Sequence, residues 1–139
     1  MLRLLAVVLL LVPMLQAQDS ALKELAGAYV AKGFERSGKP VPDAVLESVT
    51  AVKIADGKLT MTIGKKEWSA KLRVDSSKKI AEIDLFPLTG DYDKDRKFPG
   101  LFKLEKESLT ILYVEDGERP KDFTGGAGST KLVLVKKSP

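Results

Sequence analysis

The chain has 139 residues, of which 44% are hydrophobic, 30% are charged and 6% are aromatic, and its formal net charge is +4. This length and apolar content suit one domain with a packed core. The chain contains no His and no Cys. That excludes disulfides, thiol nucleophiles, thiolate zinc sites and iron–sulfur clusters, and it removes the commonest general base and metal ligand.

The first 17 residues have the pattern of a secretory signal peptide. Arg3 supplies a positive charge, residues 4–15 are apolar throughout, and Gln16-Ala17-Gln18 ends the apolar run. This run is too short for a transmembrane helix, which needs about 20 residues. We therefore predict cleavage after Ala17 and export to the periplasm or the extracellular space. Residues 18–139 are predicted to form a single domain without an integral membrane span.

The positive charge of the mature chain is spread along the sequence. Lysine pairs occur at 65–66, 78–79 and 136–137. A nucleic-acid-binding protein usually concentrates its basic residues on one face, with aromatic residues among them. No nucleic-acid partner is therefore expected.

The segment before residue 48 is predicted to mix helical turns with one strand. In the first helical turn, Leu22 and Leu25 lie on one face, and Pro42 opens the second, where proline is favoured near the first helical position. In chain order, the predicted elements are a helical turn at 20–25, a strand at 27–34, a loop at 36–40 and a helical turn at 42–47.

From Val49 onward, apolar and polar residues alternate with a period of two, which predicts β-strands. The pattern is clearest at 67–75, where apolar residues from Trp68 to Val74 alternate with polar ones. Asp56-Gly57 predicts a tight hairpin because glycine adopts the positive φ that such a turn needs. The predicted strands are 49–54, 58–64, 67–75, 81–85, 101–105, 108–114 and 131–136, with a long loop at 87–99.

About eight strands, joined by short turns without crossover helices, predict an all-β antiparallel meander. Closure into a small lipocalin-like barrel would remove the exposed sheet edges, and an open β-sandwich is the alternative. The inward positions of the alternation give the predicted core: Leu59, Met61, Ile63, Trp68, Leu72, Val74, Ile83, Leu85, Phe102, Leu104, Ile111 and Leu134.

The last two strands are apolar on both faces. Their outward positions form an apolar strip that consists of Leu112, Val114, Val133 and Val135. Monomeric proteins seldom leave a large patch of this kind uncovered. We predict that the first helical turn covers the strip through Leu22 and Leu25, which leaves a monomer. Self-association through the strip is the alternative.

Short segments in a particular order carry a resemblance to a known family. They are Leu25-Ala26-Gly27-Ala28-Tyr29, Gly38-Lys39-Pro40-Val41-Pro42, Asp75 to Lys79 followed by Ile83-Asp84-Leu85, Pro99-Gly100-Leu101-Phe102-Lys103-Leu104, and Arg119-Pro120-Lys121-Asp122-Phe123. In this order they resemble an uncharacterised secreted domain that is abundant in planctomycete genomes and is described as lipocalin-like. The resemblance implies a fold and an exported location, and it brings no established activity. Tyr29 stands where the family usually has Trp.

Tyr29, Arg119 and Phe123 are candidates for a motif at a barrel end. The resemblance to lipocalins implies that Tyr29 packs across the barrel floor under a basic side chain, here Lys136. Arg119 has two interpretations: it clamps a carboxylate at the barrel mouth, or it pairs with a neighbouring acid. In the second interpretation, Phe123 plugs the barrel end.

No catalytic, cofactor-binding or metal-binding residue is predicted. Asp91, Asp93 and Asp95 alternate as in a calcium loop, but Arg96 and Phe102 occupy the positions of the required Gly and Glu. A solvated loop is therefore expected at 87–99, and no cofactor is expected.

The leading functional prediction is a non-enzymatic binding module that takes a small apolar ligand. The predicted pocket lining is Leu59, Met61, Ile63, Trp68, Leu72 and Val74. Alternatively, the barrel is filled by its own side chains and its outer surface contacts an envelope protein or a polysaccharide. A carboxylate-based hydrolase is the third class, since paired acids suffice for glycoside hydrolysis. The obvious acids, however, alternate outward: Glu67, Glu82, Asp84 and Glu105.

Overall fold

The computed structural model describes Gln18 and residues 20–138, so the predicted signal peptide lies outside the described residues. Within this part of the chain there are two short helices, α1 (residues 20–25) and α2 (Asp43–Glu47). The strands are β1 (Gly27–Arg36), β2 (Lys39–Pro40), β3 (Val49–Ala55), β4 (Lys58–Ile63), β5 (Lys66–Asp75), β6 (Glu82–Pro87), β7 (Phe98–Glu105), β8 (Ser108–Val114) and β9 (Ser129–Lys136).

The strands form one antiparallel sheet that closes into a barrel. From β3 to β9 each strand pairs with the next in sequence, β1 pairs with β3, and β1 also pairs with β9. This last pairing, from Tyr29 opposite Lys136 to Arg36 opposite Thr130, joins the two ends of the sheet. The predicted eight-stranded antiparallel barrel is confirmed, and the open sandwich is wrong. The two-residue β2 is an extra strand on β1, in a segment predicted as loop.

Tight turns set the register of the hairpins. Ala55 pairs with Lys58, so Asp56 and Gly57 alone form the turn, with φ values of 52° and 71°. Positive φ at both central residues matches the right-handed twist of the flanking strands. The hairpin predicted from Asp56-Gly57 is therefore confirmed.

A bulge in β1 changes which residues face the interior. The pairing of β1 with β9 shifts register between Ala31 and Gly33. One extra residue in a strand reverses the alternation beyond it. Phe34 consequently enters the core, where 5% of its surface is exposed. Beyond Tyr29, β1 no longer pairs with β3.

The barrel interior is packed with apolar side chains. Most of the predicted core is buried, including Leu59, Leu85 and Ile111, each with no exposed surface. Trp68, Ile63 and Leu104 are only partly buried and pack against the core from its margin. These three predicted core residues therefore lie at the margin of the core rather than within it. The buried core also contains Leu25, Tyr29, Phe34, Val52, Ile54, Ala70, Phe98, Leu109, Tyr113 and Leu132.

The cover of the outward apolar strip differs from the prediction. Leu25 of α1 is 1% exposed and belongs to the interior core, at one end of the barrel. Leu112 and Val114 are buried, and they line a pocket together with Pro120 and residues 125–127 of the loop between β8 and β9. This loop, rather than α1, covers that part of the strip. Val133 and Val135 stay partly exposed.

Among the described residues there is no helix with the length and apolar content needed to cross a bilayer.

Candidate functional site

An open cavity of about 620 Å³ lies at one end of the barrel, which we call the mouth. Its wall comes from the ends of β1, β4 and β8, the beginnings of β5 and β9, and the loop between β6 and β7. Cavities of about 300–1,000 Å³ are typical of small-molecule sites. The lining residues include Phe34, Arg36, Met61, Ile63, Lys66, Glu67, Trp68, Thr89, Tyr92, Phe98, Tyr113, Glu115 and Thr130.

Aromatic rings form much of the inner wall of the cavity. The Phe98 and Tyr113 rings stack at a centroid distance of 5.8 Å with an angle of 6° between their planes. Tyr92 meets Phe98 edge to face at 5.4 Å. Burial raises the pKa of Tyr113 to about 12, which outweighs the opposing effects of a hydrogen bond with Thr130 and of the Arg36 charge. The stacked rings therefore form an apolar part of the wall, and the buried hydroxyl group of Tyr113 stays neutral at neutral pH.

The loop of residues 88–97 forms one side of the mouth and is held by side-chain hydrogen bonds. The Ser69 amide donates to Thr89 Oγ1 at 3.1 Å, and the Tyr92 hydroxyl donates to Glu115 Oε1 at 2.9 Å. The Glu115 bond raises the pKa of Tyr92. Arg96 donates to Asp116 and to the main-chain oxygen of Glu115. These bonds attach the loop to β5 and to the end of β8.

Only half of the predicted pocket lines this cavity. Met61, Ile63 and Trp68 do so, whereas the other three predicted residues do not. Leu59, Leu72 and Val74 are at most 5% exposed and fill the barrel interior below the mouth. The alternation placed all six on the inward face correctly. It carried no information about how far down the barrel each one lies.

Sequence reasoning missed several residues of the cavity. Phe98 and Tyr92 lie in a segment predicted as a long loop, although β7 begins at Phe98. Arg36 was placed in the loop after the first strand, whereas β1 extends to it. A weak signal for Phe98 is present, because a large apolar residue lies three positions before the predicted strand at 101–105. No signal predicted the bulge that sets the orientation of Phe34 and Arg36.

Tyr29 lies at the opposite end of the barrel from the mouth. Its ring is 1% exposed, and its hydroxyl donates to the main-chain oxygen of Leu25 at 2.6 Å. Lys136, the register partner of Tyr29, donates from Nζ to the main-chain oxygen of Glu24 at 2.7 Å. Tyr29 therefore packs at the barrel floor beside a basic residue, and the ammonium group binds the end of α1.

Arg119 lies against the outer face of β6 and β7. Its guanidinium donates to the main-chain oxygens of Ile83 at 3.0 Å and Gly100 at 2.9 Å, and to Asp84 Oδ1 at 2.6 Å. Glu82 adds a carboxylate oxygen 3.5 Å from Arg119 Nε. The structure thus matches the interpretation in which Arg119 pairs with a neighbouring acid. Arg119 fastens the loop between β8 and β9 to the barrel wall.

The β7 backbone beneath Arg119 needs a glycine. A Cβ atom at Gly100 would contact the Leu112 carbonyl oxygen and lie 2.9 Å from Tyr113 Cβ. Such close approach leaves no room for a side chain. The preceding residue, Pro99, stands opposite Asp84 and has no amide hydrogen to offer β6. Arg119 therefore adds side-chain donors to the main-chain oxygens of Ile83 and Gly100, which stand opposite each other in β6 and β7.

Phe123 is partly buried on the outer side of the barrel, where its ring lies 5.0 Å from Lys103 Nζ. It shares a surface pocket with Leu25 and Phe102, so it lies nearer to the floor than to the mouth. The predicted plug of a barrel end is not formed by Phe123 at the mouth, and at the floor its ring lies on the outer side and not in the interior core. The three residues of the predicted barrel-end motif do not form one site.

In the part of the chain that the structure describes, no group of three or more acidic residues converges as a metal site. Asp91, Asp93 and Asp95 are exposed in the loop of residues 88–97.

Comparisons of the chain with protein-family models, with curated proteins and with solved structures find no match. The resemblance to the planctomycete secreted domain therefore stays a prediction.

Proposed function

We propose that this protein is an exported, non-enzymatic binding module that takes a small apolar ligand into the mouth of its barrel. The observation that carries the proposal is the cavity of about 620 Å³. Part of its lining is apolar, with Met61, Trp68 and Phe98 among the large side chains, and charged and polar side chains stand beside them. It lies above an otherwise packed interior. Export is proposed from the apolar segment at 4–15, and the lack of His and Cys supports a non-enzymatic role.

The depth of the proposed site follows from where the interior is filled. Below the mouth, Leu59, Leu85 and Ile111 have no exposed surface. A ligand would have to displace these side chains to enter further. Displacement of well-packed core residues costs several kcal/mol. The ligand is therefore proposed to lie between Trp68 and the stacked rings of Phe98 and Tyr113.

The experiment uses Trp68, the one tryptophan of the chain, as a reporter. Titration with N-phenyl-1-naphthylamine, a neutral apolar probe, is expected to quench Trp68 fluorescence saturably while the circular dichroism stays unchanged. Ile63→Asp places a charge in the cavity wall and should weaken binding by about tenfold or more, because burial of an unpaired charge is costly.

Thr60→Asp is the matched control because Thr60 lies on the same strand, faces outward and stands opposite Lys53. It should bind the probe as the unchanged protein does. If both variants bind equally well, or if the unchanged protein shows no saturable response, the proposed site is refuted.

The second candidate is an interaction domain that acts through its outer surface. Leu88 is 57% exposed, and it lines a surface groove of about 480 Å³ with Leu22 and Phe86. An exposed apolar side chain beside such a groove favours a protein partner. Absence of any probe response at Trp68 would favour this candidate over a ligand in the mouth.

A further inference from the structure

The charged side chains that line the mouth differ in the contacts that they make. Glu115 accepts the hydroxyl hydrogen of Tyr92, and Lys66 and Glu67 are opposite charges on successive residues. Arg36 and Lys66 are the two cations of the lining, and among the described residues neither has an ion pair. What distinguishes Arg36 is that it lies over an aromatic ring.

Arg36 is held over the apolar part of the mouth. Its guanidinium carbon lies 5.1 Å from the centroid of the Phe34 ring. The bulge in β1 places both residues on the inward side of the strand. Arg36 is exposed, and the ring quadrupole attracts a cation that lies over the aromatic face. The position suits an anion that enters the cavity together with an apolar body.

Two hydroxyl groups lie on the same side of the mouth. Thr130 is the register partner of Arg36, and Tyr113 is the register partner of Thr130 on the next strand. Both line the cavity. A guanidinium binds a carboxylate with two parallel hydrogen bonds, and neighbouring hydroxyl groups donate to the same oxygens.

We propose that the ligand of the mouth is an apolar molecule with a terminal carboxylate, which Arg36 binds with the help of Thr130 and Tyr113. This inference rests on the proposed function, since it needs the cavity to take an apolar body. It adds the chemical class of the ligand and assigns the residue that selects it. The apolar part lies against Met61, Trp68 and Phe98.

The test compares three probes that share an eight-carbon chain: octanoate, 1-octanol and octyltrimethylammonium, each below its aggregation threshold. Binding to the full chain is followed by Trp68 fluorescence. Octanoate is expected to bind about tenfold more tightly than 1-octanol, because the carboxylate gains charge-assisted hydrogen bonds. Octyltrimethylammonium is expected to bind more weakly than 1-octanol, because Arg36 repels it.

Arg36→Gln should reduce octanoate binding to the level of 1-octanol and leave 1-octanol binding unchanged. Lys32→Gln is the matched control: like Arg36, Lys32 is an exposed cation of β1, but it does not line the cavity. This variant should keep the full preference for octanoate.

The possible failures are distinguishable. If 1-octanol binds to the unchanged protein as tightly as octanoate does, the carboxylate inference is overturned and the apolar site stands. If Arg36→Gln keeps the preference for octanoate, the assignment to Arg36 is overturned, and loss of the preference in Lys66→Gln would assign it to Lys66. If none of the probes binds saturably, the proposed function fails, and the inference fails with it.

Discussion

The two ends of the barrel are made from the same antiparallel strands, yet one is closed and the other is open. At the closed end, α1 lies across the strands and its Leu25 enters the interior, with 1% of its surface exposed. At the mouth, the loop of residues 88–97 stays at the side and leaves a cavity. The difference lies in whether a connecting segment supplies a side chain to the core.

The polar contacts of the two ends differ in the same way. At the closed end they join the helical segment to the strands: the amide of Val74 donates to Gln18 Oε1 at 2.8 Å, and the Tyr29 hydroxyl donates to the Leu25 oxygen. At the mouth the bonds of Tyr92 and Arg96 join the loop to Glu115 and Asp116. These bonds hold the loop beside the opening. The closed end therefore stabilises the fold, whereas the mouth is built to stay accessible.

The largest effect on stability is expected from Leu25→Ala, which removes the side chain that closes the floor. A buried leucine replaced by alanine typically costs about 2–5 kcal/mol, since apolar contact is lost and a cavity remains. Urea unfolding followed by circular dichroism measures the change. Leu88→Ala is the control, because Leu88 is 57% exposed and should change the free energy of unfolding by less than about 0.5 kcal/mol. Equal effects of the two substitutions would contradict the role of α1.

A smaller effect is expected from alkaline pH. Burial raises the pKa of Tyr29 and of Tyr113 to about 12, whereas an unfolded tyrosine titrates near pH 10. Between these values the unfolded chain has lost protons that the folded protein keeps. The stabilisation is thus complete below pH 10 and is lost as the pH rises to about 12.

The free energy of unfolding between pH 9 and 12 measures this loss, and Tyr29→Phe separates the contribution of the closed end. Phenylalanine has no proton to release, so the slope of stability against pH should become shallower. At pH 9 the free energy of unfolding of the Tyr29→Phe variant should be lower by about 1 kcal/mol than that of the unchanged protein, because the hydrogen bond to the Leu25 oxygen is gone. An unchanged slope would show that Tyr29 does not titrate with unfolding.

Most of the barrel follows from local sequence pattern. The alternation in β5 and the Asp56-Gly57 turn predicted the strands and one hairpin correctly, because inward and outward positions and the turn conformation depend on neighbours in the chain. The interior or exterior face of a residue is therefore readable from sequence. The height of that residue along the barrel axis cannot be read from the sequence. For this reason Leu72 was predicted to line the pocket, whereas it lies below it.

The features that were missed depend on contacts between distant segments. The bulge at Ala31–Gly33 turns Phe34 and Arg36 inward, and it exists only in the pairing of β1 with β9, a strand almost a hundred residues later. The cover of Leu112 was assigned to the wrong segment for a related reason. Both α1 and the loop between β8 and β9 contain apolar residues. The bonds of Arg119 to β6 and β7, which connect segments far apart in the sequence, help to hold that loop on the wall.

The central claim, that an apolar ligand enters the mouth and leaves the closed end undisturbed, is tested most directly by nuclear magnetic resonance of the full chain. Trp68 is the one tryptophan of the chain, so its indole N–H signal reports on the cavity. Met61 is one of three methionines, and its methyl signal, which is identified by its loss in the Met61→Leu variant, is the second reporter of the cavity. The Leu25 methyl signals report on the closed end. Titration with N-phenyl-1-naphthylamine is expected to shift the Trp68 and Met61 signals saturably and to leave those of Leu25 in place. Saturable shifts at Leu25 with none at Trp68 and Met61 would contradict the account.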